Sequence, residues 1–175
     1  AFRDGVLSDD AVPLTAALAA QEHGDARKAI DILRNAGRIA TKQEDEEVTE
    51  EHVYAAKEKT EADRFAELIE GAPTQAKAIL LALTLLTENK PRDQFPTQQI
   101  YRQYQTIASD LDMDPLSERR VQEILQEQDF LNVINSETKG RGRGRGVHTK
   151  HRLLEEPEIV KKVLNRDSRI ADLGI

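Results

Sequence analysis

The feature that most constrains this chain is the run Lys139–Gly146, in which glycine alternates with basic side chains. Glycine permits close approach of the backbone to another molecule, and the arginines make the segment a flexible, cationic finger. A strand-like stretch, Phe130–Asn135, precedes the run, and Val147–Leu154 can return as a second strand. Together these segments predict a β-hairpin with a long basic tip.

Three helices are predicted before the hairpin, in the order helix, helix, short turn, helix. Gln75–Thr87 carries an apolar face, Thr97 begins the second helix, and Ser117 caps the third after a turn at Asp112–Pro115. The residues expected to face inward are Ala76, Ile79, Leu80, Leu83, Leu86, Ile100, Tyr104, Ile107, Ala108, Leu111, Val121, Ile124 and Leu125. With a closing helix at Glu158–Asn165, this order predicts a winged helix: a three-helix helix-turn-helix followed by a β-hairpin wing.

The first seventy residues are predicted to form a small helical bundle with a thin core. Its helices cover Ala11–Glu22, then Ala26 to about Thr41 after an N-cap at Asp25, then a stretch that Thr49 caps and that runs to about Ile69. The inward face of the second helix is expected to hold Ala29, Ile30, Leu33, Gly37 and Ala40. The predicted fold class is therefore mainly α.

A domain boundary is predicted at Gly71–Thr74, where glycine and proline interrupt the helical pattern. Residues 1–70 contain 9 Lys/Arg and 17 Asp/Glu, whereas residues 71–175 contain 16 and 15. The overall net charge of −7 therefore conceals an acidic first domain and a second domain whose residues 139–152 hold six Lys/Arg and no acid.

Composition excludes several classes of protein. There is no cysteine, so neither a disulfide framework nor a zinc–thiolate site is available. No apolar run approaches the roughly eighteen residues that a membrane helix requires. The N-terminus lacks a basic segment followed by an apolar stretch, so it does not match a secretory signal. We therefore expect a soluble intracellular protein with no membrane partner.

The hairpin and the third helix together predict contact with duplex DNA. Arg141, Arg143 and Arg145 lie at the hairpin tip, where arginine can enter a narrow minor groove. Arg119, Arg120 and Gln122 lie in the first turns of the helix that would face the major groove, with Gln126 one turn further on. The glutamates among them, Glu118, Glu123 and Glu127, favour an exposed helical face with no ligand, so backbone contacts are expected before base readout.

No catalytic or metal site is predicted. His148 and His151 are three residues apart on a strand and point to opposite faces, so we expect them to add to the cationic strand or to be exposed. The sequence contains no Walker-type phosphate-binding loop, no Ser/His/Asp arrangement and no paired acid–base motif. We therefore expect this chain not to be an enzyme by itself.

Two segments resemble one known family. Gly24-Asp25-Ala26-Arg27-Lys28-Ala29 to Arg34 resembles the sensor-two helix in the lid of archaeal replication initiators, which are related to the largest origin recognition complex subunit and to cell division control protein six. Pro115–Val121, followed by the hairpin, is similar to the C-terminal winged helix of that family. Gly5-Val6-Leu7 and Pro13 to His23 also resemble its lid, so the resemblance covers nearly the whole chain.

The resemblance implies a C-terminal part of an initiator, beginning at the lid, or a truncated relative. It implies that Ser117, Arg119 and Arg120 lie on the recognition helix, that the wing contacts the minor groove of origin DNA, and that Arg27 is the sensor-two arginine. ATP and Mg²⁺ are then expected only with a base domain that precedes the lid, and this chain is expected to hold no cofactor. The implied partners are origin DNA, that base domain and a replicative helicase. The implied location is the cytoplasm, in association with the nucleoid.

Two alternatives stay open on the sequence alone. A winged-helix transcription regulator with a helical dimerisation domain would form a stable dimer in solution. A protein-interaction module that binds partners through the acidic bundle would have little affinity for duplex DNA, even at low salt.

Overall fold

A computed structural model describes residues 2–3, 5–21, 26–89, 94–141 and 145–174, with the backbone alone for residues 21, 139–141 and 145–148. The helices are α1 (Ala11–Gln21), α2 (Ala26–Gln43), α3 (Glu50–Glu70), α4 (Thr74–Asn89), α5 (Thr97–Asp110), α6 (Glu118–Phe130), α7 (Pro157–Leu164) and α8 (Ser168–Ala171). The strands are β1 (Phe95–Pro96), β2 (Ile134–Arg141) and β3 (Arg145–Leu153). The predicted mainly α fold class is confirmed. None of the helices in the described ranges is long and apolar enough to cross a membrane.

The chain divides into two compact units, Ala1–Arg64 and Phe65–Ile175. The division falls within α3, because Phe65, Ala66 and Ile69 pack into the core of the second unit. It therefore lies before the predicted boundary at Gly71. From sequence, the apolar end of α3 belongs to the first domain because Gly71 follows it. In the structure, Phe65, Ala66 and Ile69 are buried in the same core as the residues of α4.

The first unit has a small core rich in alanine and valine, made of Ala11, Leu18, Ile32, Ala36, Ala40, Val48, Val53 and Ala56. The backbone of Val48 closes it, accepting from Ser8 N–H at 3.1 Å and donating to the carbonyl oxygen of Val6 at 2.7 Å. Thr49 directly precedes α3, as predicted, and its backbone N–H donates to Nδ1 of the buried His52 at 3.1 Å. The predicted N-cap at Asp25 lies outside the described residues.

The predicted inward face of α2 was wrong in part. Ile32, Ala36 and Ala40 are buried, whereas Ile30 is 58% exposed. Apolar residues occur on several sides of this helix, so spacing alone admits more than one stripe, and the stripe that contacts the small core is rotated from the expected one. Gly37 lies close to Phe2: a Cβ at that position would be 2.5 Å from Cε1 of the ring.

The second unit is built around α4. This helix buries the five predicted residues and also Ala78, Leu81, Ala82 and Thr84, so it is apolar on nearly all sides. It packs against α5, α7 and β3. The inward residues predicted for α5 and α6 are buried too, apart from the half-buried Leu111. Within the described residues, an antiparallel sheet of three strands packs with these helices.

The sheet has the order β1-β3-β2, with β3 between the two other strands. The predicted start of the first hairpin strand at Phe130 was wrong: α6 continues to Phe130, and β2 begins at Ile134. Asn132 adopts a left-handed conformation (φ 56°), which turns the chain between helix and strand. The apolar run that suggested a strand therefore ends a helix instead. The short strand β1 and the helix α8 were not predicted.

Ion pairs fasten the C-terminal helices of this unit. Lys77 of α4 donates to Asp167, just before α8, at 2.8 Å, and both side chains are mostly buried. This pair lowers the pKa of Asp167 below its ordinary value. Lys161 of α7 contacts both carboxylate oxygens of Glu88 at 3.1 and 3.2 Å. Charged contacts therefore hold α7 and α8 against α4 in addition to the apolar residues Val160, Val163, Leu164 and Ile170.

The hydroxyl group of the fully buried Tyr104 fixes the turn between α5 and α6. It donates to the side-chain oxygen of Gln75 in α4 and accepts from the backbone N–H of Leu116 at 2.9 Å. Gln75 in turn donates to the carbonyl oxygen of Asp114 at 3.1 Å. One phenol thus joins α4, α5 and the residues just before α6.

Replacing Tyr104 with phenylalanine tests this role. The change leaves the N–H of Leu116 without its partner in a half-buried position, which should lower the free energy of unfolding by about 1–3 kcal/mol. Tyr101→Phe is the matched control, because the ring of Tyr101 stacks on Tyr104 at 6.3 Å but no described hydrogen bond uses its hydroxyl. Urea unfolding of the two variants measures the difference, and equal losses would contradict the assignment.

Candidate nucleic-acid interface

Helix α6 presents a polar face to solvent. Ser117 is its N-cap, and the side-chain oxygen accepts from the backbone N–H of Arg120 at 3.3 Å. Val121, Ile124, Leu125 and Gln128 face the core. Arg119, Gln122 and Gln126 are exposed on the opposite side. A helix with side chains is about 10–12 Å across, and the major groove of B-DNA is about 12 Å wide, so this face has dimensions that suit insertion.

The two arginines at the start of α6 are paired with glutamates of the same helix. Arg119 Nε donates to Glu123 at 3.3 Å, and Arg120 donates to Glu123 at 3.0 Å and to Glu127 at 3.4 Å. The hydrogen bonds to Arg120 and Arg119 lower the pKa of Glu123 below its ordinary value. The two arginines of this helix that are predicted to contact DNA are therefore exposed and already engaged with carboxylates.

The base of the wing is held by His151, which is fully buried in the central strand β3. Its Nδ1 pairs with Ser136 Oγ of β2 at 2.8 Å, and its Nε2 pairs with Thr97 Oγ1, the first residue of α5, at 2.9 Å. Asp129 of α6 accepts from the backbone N–H of Ser136 at 2.7 Å. This network links the wing to the first residue of α5 and to the C-terminal end of α6.

The expectation that His151 is exposed or cationic was wrong. Burial lowers its pKa from 6.5 to about 4, against the opposing effect of the nearby Asp129 carboxylate. Strand alternation explains its placement, because His151 lies on the same face of β3 as Leu153, next to the core. A neutral imidazole donates a hydrogen bond from one ring nitrogen and accepts one at the other. The hydroxyl groups of Ser136 and Thr97 can each donate or accept, so they fit either tautomer of His151.

The other face of the hairpin carries charge beyond the core. Arg152 donates to the side-chain oxygen of Asn135, its cross-strand partner, at 3.3 Å, and Lys150 lies opposite Glu137. The pairing continues outward through Thr138–Thr149 to Arg141–Arg145. The basic tip is therefore an extension of a paired hairpin. Arg141 ends β2 and Arg145 begins β3, whereas Arg143 lies outside the described residues.

Arg27, the residue singled out in the first unit, is exposed in the first turn of α2. The N-terminal turn of a helix has positive potential from its unpaired N–H groups, so an arginine there suits an anionic ligand. Its neighbour Lys28 is half-buried; desolvation lowers its pKa, Glu61 opposes that change, and the cations Arg64 and Lys57 add to it.

Comparisons with known proteins agree with this architecture. The family model described as "CDC6, C terminal winged helix domain" matches residues 67–163, and the model described as "Cdc6 AAA+ ATPase-type lid domain" matches residues 1–58. This chain belongs to the ORC1/Cdc6 family of DNA replication proteins.

Archaeal members of the ORC1/Cdc6 family are similar over nearly the whole chain. ORC1-type DNA replication protein 4 of Halobacterium salinarum is 55% identical over 172 residues, which are 98% of this chain and 42% of the relative. The ORC1-type DNA replication protein of Thermococcus kodakarensis is 42% identical over 99% of this chain and 41% of the relative. The chain thus spans less than half the length of these relatives.

A solved structure of an ORC1/Cdc6 protein, Aeropyrum pernix ORC1 in complex with DNA, has the same fold. It superposes with a TM-score of 0.87 at 40% identity and covers 98% of this chain and 44% of that one. Drosophila ORC bound to DNA, at 24% identity and a TM-score of 0.54, shares the fold. The identification of the lid and the winged helix from sequence is confirmed.

Sequence reasoning found the charged residues of this ORC1/Cdc6 winged helix and missed the polar residues that hold them in place. Tyr104 was assigned to the core for its ring alone, and Thr97 only as the start of a helix. One sequence signal could have predicted the burial of His151. It lies two residues before Leu153 on the same strand, so both side chains are on the core side. The roles of the predicted DNA contacts stay predictions at this point.

The neutral state of His151 makes stability depend on pH. Between about pH 6.5 and about pH 4 the unfolded chain binds a proton at His151 that the folded chain lacks, so stability falls as the pH is lowered through this interval. At about 1.4 kcal/mol for each pH unit, the loss between pH 7.5 and pH 5 is about 2 kcal/mol. Urea unfolding, followed on amide signals of the second unit, measures it.

His151→Gln is the comparison variant, because glutamine keeps polar atoms at the site and does not titrate. Its stability should change less over the same pH interval than that of the wild type. Equal pH dependence in both proteins would contradict a buried, neutral His151.

Proposed function

We propose that this chain binds duplex DNA at replication origins through its winged helix. Helix α6 enters the major groove, and the β2–β3 hairpin lies along the adjacent minor groove and its phosphates. The observation that carries the proposal is the β2–β3 hairpin, whose cross-strand pairing runs from Ile134–Leu153 to Arg141–Arg145. Residues 139–152 of the sequence contain six Lys/Arg and no acid. The same fold at 40% identity in a protein solved in complex with DNA supports it.

In this proposal the contacts divide by type. Ser117, Arg119, Arg120 and Gln122 lie at the start of α6, where recognition helices meet the groove, and Arg120 and Arg119 contact phosphates or guanine edges. Arg141, Arg143 and Arg145 neutralise phosphates and enter the minor groove from the wing. Because few side chains on α6 suit base readout, part of the sequence preference comes from the deformability of the DNA.

We also propose a role for the lid in the longer protein. Arg27 lies exposed at a helix N-terminus, and this geometry suits contact with a phosphate group of ATP held by an AAA+ base domain. ATP with Mg²⁺ supplies phosphoryl-transfer chemistry in such a domain, whereas this chain contributes the cation. A cation on the lid makes the lid position depend on the nucleotide, which would couple nucleotide state to DNA engagement and helicase loading.

The wing is tested by a triple substitution, Arg141→Ala, Arg143→Ala and Arg145→Ala. Each phosphate contact contributes about −0.9 to the slope of log affinity against log salt, so losing three should make the slope shallower by up to about 2.7. Fluorescence anisotropy of labelled duplex DNA, measured at several salt concentrations, gives both affinity and slope.

The matched control removes three exposed cations of the first unit, Arg38→Ala, Lys42→Ala and Lys59→Ala. It changes the net charge by the same amount, so it reports how much of any loss is long-range. A wing variant that binds as well as the wild type would refute the wing assignment. Absence of wild-type binding at low salt would refute DNA binding by this chain.

A further inference from the structure

The arginines of α6 are held by carboxylates of their own helix. Glu123 accepts from Arg119 at 3.3 Å and from Arg120 at 3.0 Å, and Glu127 accepts from Arg120 at 3.4 Å. Glu123 is four residues after Arg119 and three after Arg120, so it lies beside both arginines on the helix surface. Glu127 is seven residues, or two turns, after Arg120. All four side chains are at least 42% exposed, so DNA approaching this face meets both charges.

Helix α6 as a whole has more acidic than basic residues. Residues 118–130 contain two arginines and four acidic residues, Glu118, Glu123, Glu127 and Asp129. Asp129 is engaged with the N–H of Ser136, and the other three acids are on the exposed side or at its edge. A helix with this excess of negative charge is repelled by phosphates in general, whereas the wing is strongly attracted to them.

We infer that Glu123, assisted by Glu127, is a specificity-determining residue: it acts as an internal counter-ion of Arg119 and Arg120 and limits binding to unrelated DNA. Phosphates of any duplex must compete with Glu123 for the guanidinium groups of the two arginines. A matching site offers base-edge acceptors in addition, so it compensates for the displaced pair. This inference rests on the proposed function, and it adds a repulsive element that discriminates between DNA sequences.

The counter-ion role differs in its consequences from direct base reading. A carboxylate that reads a cytosine amino group adds affinity for the correct site and little repulsion elsewhere. Removing such a contact lowers affinity for the preferred site. Removing a counter-ion raises affinity for all sites, and raises it most where non-specific phosphate contacts dominate.

The test compares wild type with Glu123→Gln on two duplexes of equal length: one of scrambled sequence and one selected from a random pool by the wild-type chain. We expect Glu123→Gln to bind the scrambled duplex about three- to tenfold more tightly at low salt, with a slope steeper by about one phosphate contact. The gain on the selected duplex should be smaller, so the affinity ratio between the two falls. Glu127→Gln, which frees only the longer contact to Arg120, should have a weaker effect in the same direction.

Glu58→Gln is the matched control. Glu58 is exposed on α3 in the first unit, so the change removes the same charge away from α6. Thermal unfolding of both variants verifies that each is folded. The inference is overturned if Glu123→Gln leaves scrambled-duplex affinity unchanged, if Glu58→Gln raises it equally, or if Glu123→Gln only weakens the selected duplex. If neither the wild type nor Glu123→Gln binds duplex at low salt, the proposed function fails and the inference with it.

Discussion

Burial of α4 on nearly all sides is the constraint on which the second unit depends, because α5, α7 and β3 each complete their own packing against it. The helix offers Ile79, Leu81 and Leu83 in directions that differ around its axis, so elements on several sides share one core. Gln75 is at its N-terminal end, and through the hydroxyl of Tyr104 it also sets the turn before α6. The buried helix α4 thus helps to position the exposed helix α6.

A glycine-rich wing requires a fixed base, because glycine has more backbone freedom than other residues. His151 supplies that base by pairing with Ser136 and Thr97, which belong to a neighbouring strand and to the start of α5. Buried polar groups of this kind are stabilising only when each is satisfied, and here both ring nitrogens have partners. The hairpin therefore leaves the core in a defined direction although its end is rich in glycine.

The helices of the winged helix could be predicted from sequence because apolar spacing records burial directly. Thirteen inward residues were predicted for α4, α5 and α6, and all lie in or against the core. Prediction failed where one pattern fits two structures: the apolar residues from Phe130 suit a strand, yet they end α6, and Ile30 suits the inner face of α2, yet it is exposed. Residues whose role depends on distant partners, such as Tyr104, could not be assigned from local pattern.

In the proposed function, the distribution of charge in the second unit separates two tasks that a DNA-binding surface must perform. The wing and β3 carry cations without internal acids over residues 139–152, so they supply attraction to any duplex. The arginines of helix α6 are paired with Glu123 and Glu127. This helix therefore adds binding affinity only where the groove provides base-edge acceptors in addition to phosphates. A net charge of −7 is therefore compatible with the proposed binding of DNA, because the potential at each surface is set by the residues of that surface.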